Sequence, residues 1–179
     1  MKGCYEYQNK LRTNKLCPFK LIDEIQSKSR GVCNWHKNIE ILYIADGEGY
    51  IQYDTVDFSV KKGDIIVVNT GSLHCIGSND TVHYKCIIID EEFCNGNGID
   101  TKICLFDRKF RDTLTEKLIS TASDTINEYN EICSPINIAR ARCSVLSLLI
   151  NLFTEHLKTT IGETRMIKPA ENYVKTVLS

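Results

Sequence analysis

Two stretches of this sequence decide its fold: His36-Lys37-Asn38-Ile39-Glu40-Ile41-Leu42-Tyr43-Ile44-Ala45-Asp46-Gly47, and Gly63-Asp64-Ile65-Ile66-Val67-Val68-Asn69-Thr70-Gly71-Ser72-Leu73-His74. Residues 39–45 are rich in β-branched and aromatic side chains, which suit a pleated, half-buried surface. Successive side chains on a strand take opposite faces, so His36, Glu40, Leu42 and Ile44 fall on one side of a sheet. That face is polar at one end and apolar further along. Residues 65–68 are apolar at every position, as in a strand covered on both faces. A closed or nearly closed barrel would bring His74, at the start of a later strand, round to His36 and Glu40.

Outward from this centre the strand signals recur. Residues 18–26 supply a first strand or two, and the polar run 27–31 predicts a turn. Asp46-Gly47 reads as a tight-turn pair, residues 48–54 as an alternating strand, 55–60 as its return and 61–64 as another turn. Gly71 marks a loop that needs a conformation other residues avoid. Residues 77–80 read as a turn before a strand over 82–90. Short strands at this spacing argue for a barrel or sandwich.

Beyond residues 91–100, with Gly96 and Gly98, the period becomes helical. Phe106, Phe110, Leu114 and Leu118 recur every four residues and predict a helix of about fifteen residues. Ser134-Pro135 is a cap followed by a first-turn proline, and predicts a second helix reaching residue 158. This helix carries two apolar lines. One contains Ile138, Ala141, Val145, Leu148, Leu149, Leu152 and His156; the other contains Leu146, Ile150, Phe153 and Leu157. Together they are wider than one barrel needs, so Leu146, Leu149, Ile150, Phe153 and Leu157 are expected to join two copies in a homodimer; the alternative is a helix wedged between the barrel and the first helix.

The motif spacing resembles that of the cupin superfamily, whose first motif is carried here by Asn34, His36, Glu40 and Gly47 and whose second by Gly63, Asn69, Gly71 and His74. The chain departs from that pattern at Asn34, where the family has histidine, and at Asn69, where it has proline. Within the cupins, residues 36–74 are most similar to the sensor domain of AraC-type transcription regulators. The resemblance implies a mainly β chain with C-terminal α structure: a cupin-like jelly-roll barrel followed by two antiparallel helices. It also implies an effector-binding barrel with an N-terminal arm over residues 1–95 and a helical dimerisation region over 96–160. Residues 161–179 would be a linker and the first helix of a helix-turn-helix DNA-binding domain, because Ile167-Lys168-Pro169-Ala170-Glu171-Asn172-Tyr173 resembles that helix in the family.

Charge is balanced, with 22 basic against 23 acidic residues, so this stretch lacks the one-sided basic surface that nucleic-acid binding usually needs. DNA contact is therefore expected through a C-terminal domain outside it. Nine cysteines stand singly, with no Cys-x-x-Cys pair to suggest a structural zinc, and read as small buried residues in a reducing cytoplasm. No signal peptide or membrane span is expected.

Three readings of the polar cluster stay open. In the first, His36, Glu40, His74, Tyr43, Tyr53 and Asn34, with His83, line a pocket for a small organic effector. In the second, His36, Glu40 and His74 hold a divalent metal, since two imidazoles and a carboxylate form a recognised facial triad. In the third, they are strand-end residues that hydrogen-bond one another and serve the fold alone. No catalytic nucleophile or phosphate-binding loop is recognisable, so a non-enzymatic sensor without a resident cofactor is expected. A metal-dependent cupin enzyme, dioxygenase or isomerase, is the alternative.

Overall fold

A computed structural model describes residues 4–5 and 16–160. Two long antiparallel strands carry the architecture: β4 (Ile39–Tyr53) and β7 (His74–Ile89), paired from Ile39 opposite Ile89 to Tyr53 opposite His74. β2 (Phe19–Arg30) pairs with β7, β5 (Val56–Lys61) with the second half of β4, and β6 (Ile65–Val68) with its first half. The short β3 (Asn34–Trp35) joins β7, and β1 (Cys4–Tyr5) lies parallel beside β3. Among the described residues the strand order is β1-β3-β7-β4-β6-β9, where β9 is Lys109–Phe110, with β2 beside β7 and β5 beside β4; the expected mainly β architecture with C-terminal helices is present, and the sheet stays open rather than hydrogen-bonded into a closed barrel.

The expected turn at Asp46-Gly47 is a bend within β4. Register shifts flank it, and Gly47 has φ of 74°. A Cβ there would lie 2.2 Å from the Thr81 carbonyl oxygen, so only glycine allows the two strands to approach so closely. The turns expected at 27–31 and 77–80 likewise fall largely inside β2 and β7. Glycine and small polar residues mark bulges as well as turns, and sequence spacing does not separate the two. Gly71 does sit in a loop at φ of 78°.

Alternation divides the side chains into two cores. Leu42, Ile44, Ile51, Ile66, Val68, Val82, Tyr84, Cys86 and Ile88 face the concave interior of the sheet. Ile39, Ile41, Ile65, Val67, Ile87 and Ile89 face outward into a second core shared with the helices. β6 is buried at all four positions, as its composition predicts. Each large aliphatic side chain removed from water in these layers contributes roughly 1.5–3 kcal/mol.

After a short α1 (Glu91–Gly96) come β8 (Cys104–Phe106) and β9 (Lys109–Phe110), with β9 pairing to β6. The predicted first helix therefore begins later than its period suggested: Phe106 and Phe110 are strand residues, and α2 spans Thr113–Glu131. Asp112 sets that boundary, because its carboxylate accepts the backbone N–H groups of Leu114 and Thr115. α3 (Pro135–Glu155) starts as predicted, with Ser134 capping it and Pro135 in its first turn. β10 (Leu157–Thr160) then pairs with β8.

By length and composition α3 could cross a membrane, contrary to the expectation that no segment could. Its apolar line at Ala141, Val145, Leu148 and Leu152 instead packs in the outer core. Leu149 is fully buried there too, which corrects its expected place at a subunit contact. Of the second line, Ile150 is exposed, while Leu146, Phe153 and Leu157 are half-buried. The expected linker and helix over 161–179, and most of the expected N-terminal arm, lie outside the described residues.

Candidate functional site

Glu40 enters the concave side of the sheet near the start of β4, at the same parity as Leu42 and Ile44. His36 reaches it differently from the expected strand alternation. Four residues of extended strand span about 13 Å, yet His36 Nε2 lies 2.7 Å from Glu40 Oε1. The chain bends at Lys37-Asn38 between β3 and β4, and the His36 carbonyl is held by the Gly71 N–H at 2.9 Å. His74 comes from the first residue of β7 and places Nε2 3.2 Å from Glu40 Oε2. The two rings meet edge to face at 5.1 Å. The Cys86 thiol approaches Glu40 Oε2 at 3.6 Å.

His36 and Glu40 are buried, and the His74 side chain is 12% exposed. Burial alone would raise the Glu40 carboxyl. Hydrogen bonds from both imidazoles, and their positive charge when protonated, outweigh it and hold that carboxyl well below the usual range.

The other ring nitrogens are equally constrained. His36 Nδ1 lies 3.1 Å from the Asn38 carbonyl oxygen, and His74 Nδ1 lies 3.1 Å from that of Ser72. A carbonyl only accepts, so each Nδ1 carries hydrogen and donates. Each Nε2 then faces a carboxylate oxygen, which is stable if that nitrogen is also protonated or if a cation lies between them. One ligand atom from each of His36, Glu40 and His74 lies within 4.8 Å of the others. Two imidazoles and a carboxylate, with both rings oriented by backbone carbonyls, form a donor set that fits a divalent first-row metal.

A cavity of about 250 Å³ opens beside this cluster. Glu40, His74 and Asn34 line it together with Lys20, Glu24 and Gln26 of β2, and Ile22, Leu42, Ile51 and Ile88 form much of its apolar wall. Asn34 stands opposite His74 in the strand register. At the β2 side, the Tyr84 hydroxyl donates to Glu24 Oε2 at 3.1 Å. Tyr84, Glu24 and Cys86 were missed by the sequence reading, although Tyr84 and Cys86 share the parity of His74 along β7.

The remaining candidates lie elsewhere. Tyr43, one residue out of step with Glu40 and Leu42, faces the helices and donates its hydroxyl to Glu116 of α2. Burial and that carboxylate push the hydroxyl up to about 12. Tyr53 is fully buried; its hydroxyl accepts from Asn69 N at 2.8 Å and from Asn69 Nδ2 at 3.1 Å. Neither tyrosine lines the cavity. His83 pairs with Asp23 at 2.6 Å on the outer side of β2 and β7, and His156 stacks on Phe110 at 3.6 Å. Asn69, where the cupin motif has proline, ties distant segments together: Nδ2 donates to the Phe106 carbonyl, and Oδ1 accepts from the Phe106 N–H.

Residues 26–115, half of the chain, match the family described as AraC-like ligand binding domain. The chain belongs to that family. This AraC-like domain also resembles solved structures. The plu4264 protein of Photorhabdus luminescens is 26% identical, with TM-score 0.39, over 42% of this chain and 65% of that one. The EutQ protein of Clostridium difficile is 18% identical, with TM-score 0.37, over 40% and 56%. A deletion mutant of Bacillus subtilis oxalate decarboxylase is 14% identical, with TM-score 0.38, over 48% and 29%. The matches cover less than two thirds of the length of each of these three. No curated protein matches the sequence.

Proposed function

We propose that this AraC-like domain is the effector-sensing and dimerisation region of a cytoplasmic transcription regulator and not an enzyme. The observation that carries the reading is the cavity, where Glu40, His74 and Asn34, with Lys20, Glu24 and Gln26, converge beside an apolar wall. Such a site suits a small molecule that carries hydroxyl or amine groups and some apolar surface. At about 250 Å³ the space matches a sugar- or amino-acid-sized ligand rather than a drug-sized one. DNA would be contacted by a following C-terminal domain, and a second copy by the exposed side of α3. The effector would act by favouring one arrangement of sheet and helices over another, to the extent that it binds the two with different affinity.

A thermal-shift screen of sugars, amino acids and small organic acids at millimolar concentration tests the reading. At least one class should raise the melting temperature, and Glu40→Gln should abolish that rise. A screen without a hit overturns it.

The orientation of both imidazoles favours a second reading, in which His36, Glu40 and His74 hold a divalent metal. Bound there, the ion would supply Lewis-acid polarisation and an anchor for an oxygen of the ligand. The protein residues would orient that ligand against the apolar wall and limit access of water. A metal-dependent cupin enzyme is the corresponding alternative function. Elemental analysis of protein purified without a histidine tag separates the readings. Less than about one tenth of an equivalent per chain, with no uptake of added manganese or zinc, removes the metal.

A further inference from the structure

Nine cysteines are scattered singly along the sequence, but the sheet sets two of them side by side. β3 and β7 are antiparallel, with Asn34 opposite His74. One step along that register puts Cys33 opposite Cys75. Both sulfurs approach the same atom: Cys33 Sγ lies 3.6 Å, and Cys75 Sγ 3.7 Å, from Gln52 Oε1. Gln52 is itself the neighbour of Cys75 on β4. Burial, and next to it the adjacent Cys33 thiol, push the Cys75 thiol up to about 11. Facing residues of an antiparallel pair have Cα atoms about 4.5–5.5 Å apart, inside the roughly 4.4–6.8 Å that a disulfide spans. Both cysteines are buried thiols. Arg30, exposed on β2, donates from Nη2 to Gln52 Oε1 at 2.7 Å.

We propose that Cys33 and Cys75 are a redox-modifiable pair, oxidised by a low-molecular-weight disulfide to a cross-strand bond that pins β3 to β7. One protein thiolate attacks the small disulfide, forming a mixed disulfide and releasing one small thiolate. The second protein thiol loses its proton and attacks the protein sulfur of that mixed disulfide, releasing the other small thiolate. The protein loses two electrons and two protons; the small disulfide gains both and becomes two thiols. The consequence is local to the cavity, because Cys75 belongs to its wall and Cys33 adjoins Asn34. β3 is two residues long and meets β7 at one register pair, so a covalent tie would fix Asn34 relative to His74.

The test uses the full chain incubated with glutathione disulfide, then alkylated, digested and mapped by mass spectrometry. The expected product links the Cys33 and Cys75 peptides, lacks two hydrogens, and reverts with dithiothreitol. The melting temperature of the oxidised protein should rise by roughly 5–15 °C, since the bond closes a long loop of the unfolded chain. Cys33→Ser and Cys75→Ser should each abolish both effects. Alkylation of both residues after oxidation, or pairing with other cysteines, overturns the proposal. A cross-link without a rise in melting temperature overturns the pinning. The peptide map of the wild-type chain decides the matter even if a serine variant does not fold.

Discussion

Glu40 Oε1 and His36 Nε2 meet 2.7 Å apart although the two residues flank a bend in the chain, and His74 closes on the other carboxylate oxygen at 3.2 Å. One buried carboxylate is thereby shared by two imidazoles from separate strand ends. Removing it leaves both rings without their partner in a site shielded from water. Glu40→Ala should cost about 3 kcal/mol of stability in urea denaturation at pH 7. Asp23→Ala, which breaks the more exposed pair with His83, should cost less than about 1 kcal/mol.

Asp64 is buried at the start of β6, where it accepts from Arg111 Nε at 2.7 Å and from Lys61 N at 2.9 Å and meets Lys109 Nζ at 3.0 Å. Burial would raise its carboxyl, but these partners outweigh burial and lower it. Its stabilising contribution is therefore complete above the ordinary carboxylate value, near pH 4, and is lost as pH falls through the lower folded value. Asp64→Asn should cost about 2 kcal/mol at pH 7. The difference from wild type should shrink when denaturation curves are recorded near pH 2.

Tyr53 tests the distinction between core and cavity. Its hydroxyl accepts from the buried Asn69 backbone N–H, so Tyr53→Phe leaves that donor unsatisfied. A loss of about 1–3 kcal/mol in chemical denaturation is expected, with the affinity of any thermal-shift hit unchanged. A large drop in that affinity would return Tyr53 to the ligand site.

α3 separates packing from association at adjacent positions. Leu149 is fully buried and Ile150 is 56% exposed. Leu149→Ala should destabilise by about 2–5 kcal/mol. Ile150→Glu should alter stability by no more than about 0.5 kcal/mol, yet reduce a dimer to monomer in light scattering. A wild-type monomer at high concentration would exclude the dimer.

Much of the fold was legible because burial imposes local periods. The alternation of Glu40, Leu42 and Ile44, the apolar run 65–68 and the Ser134-Pro135 cap each reflect a requirement of the element that contains them. Legibility failed where one local pattern serves two structures. Gly47 suits a bulge as well as a turn, and the four-residue spacing of Phe106 and Phe110 is also compatible with two short strands beneath a helix. Tyr43 was misplaced by residue type, although its odd position on β4 already set it on the helix side.

By itself, the sequence determined which residues could share a face, because backbone geometry fixes side-chain direction within an element. The tertiary structure alone decided which faces meet: His36 folding back onto Glu40, His74 arriving from β7, and Leu149 turning into the core. Those meetings depend on bends, strand register and packing between segments far apart in the chain, and no local period encodes them.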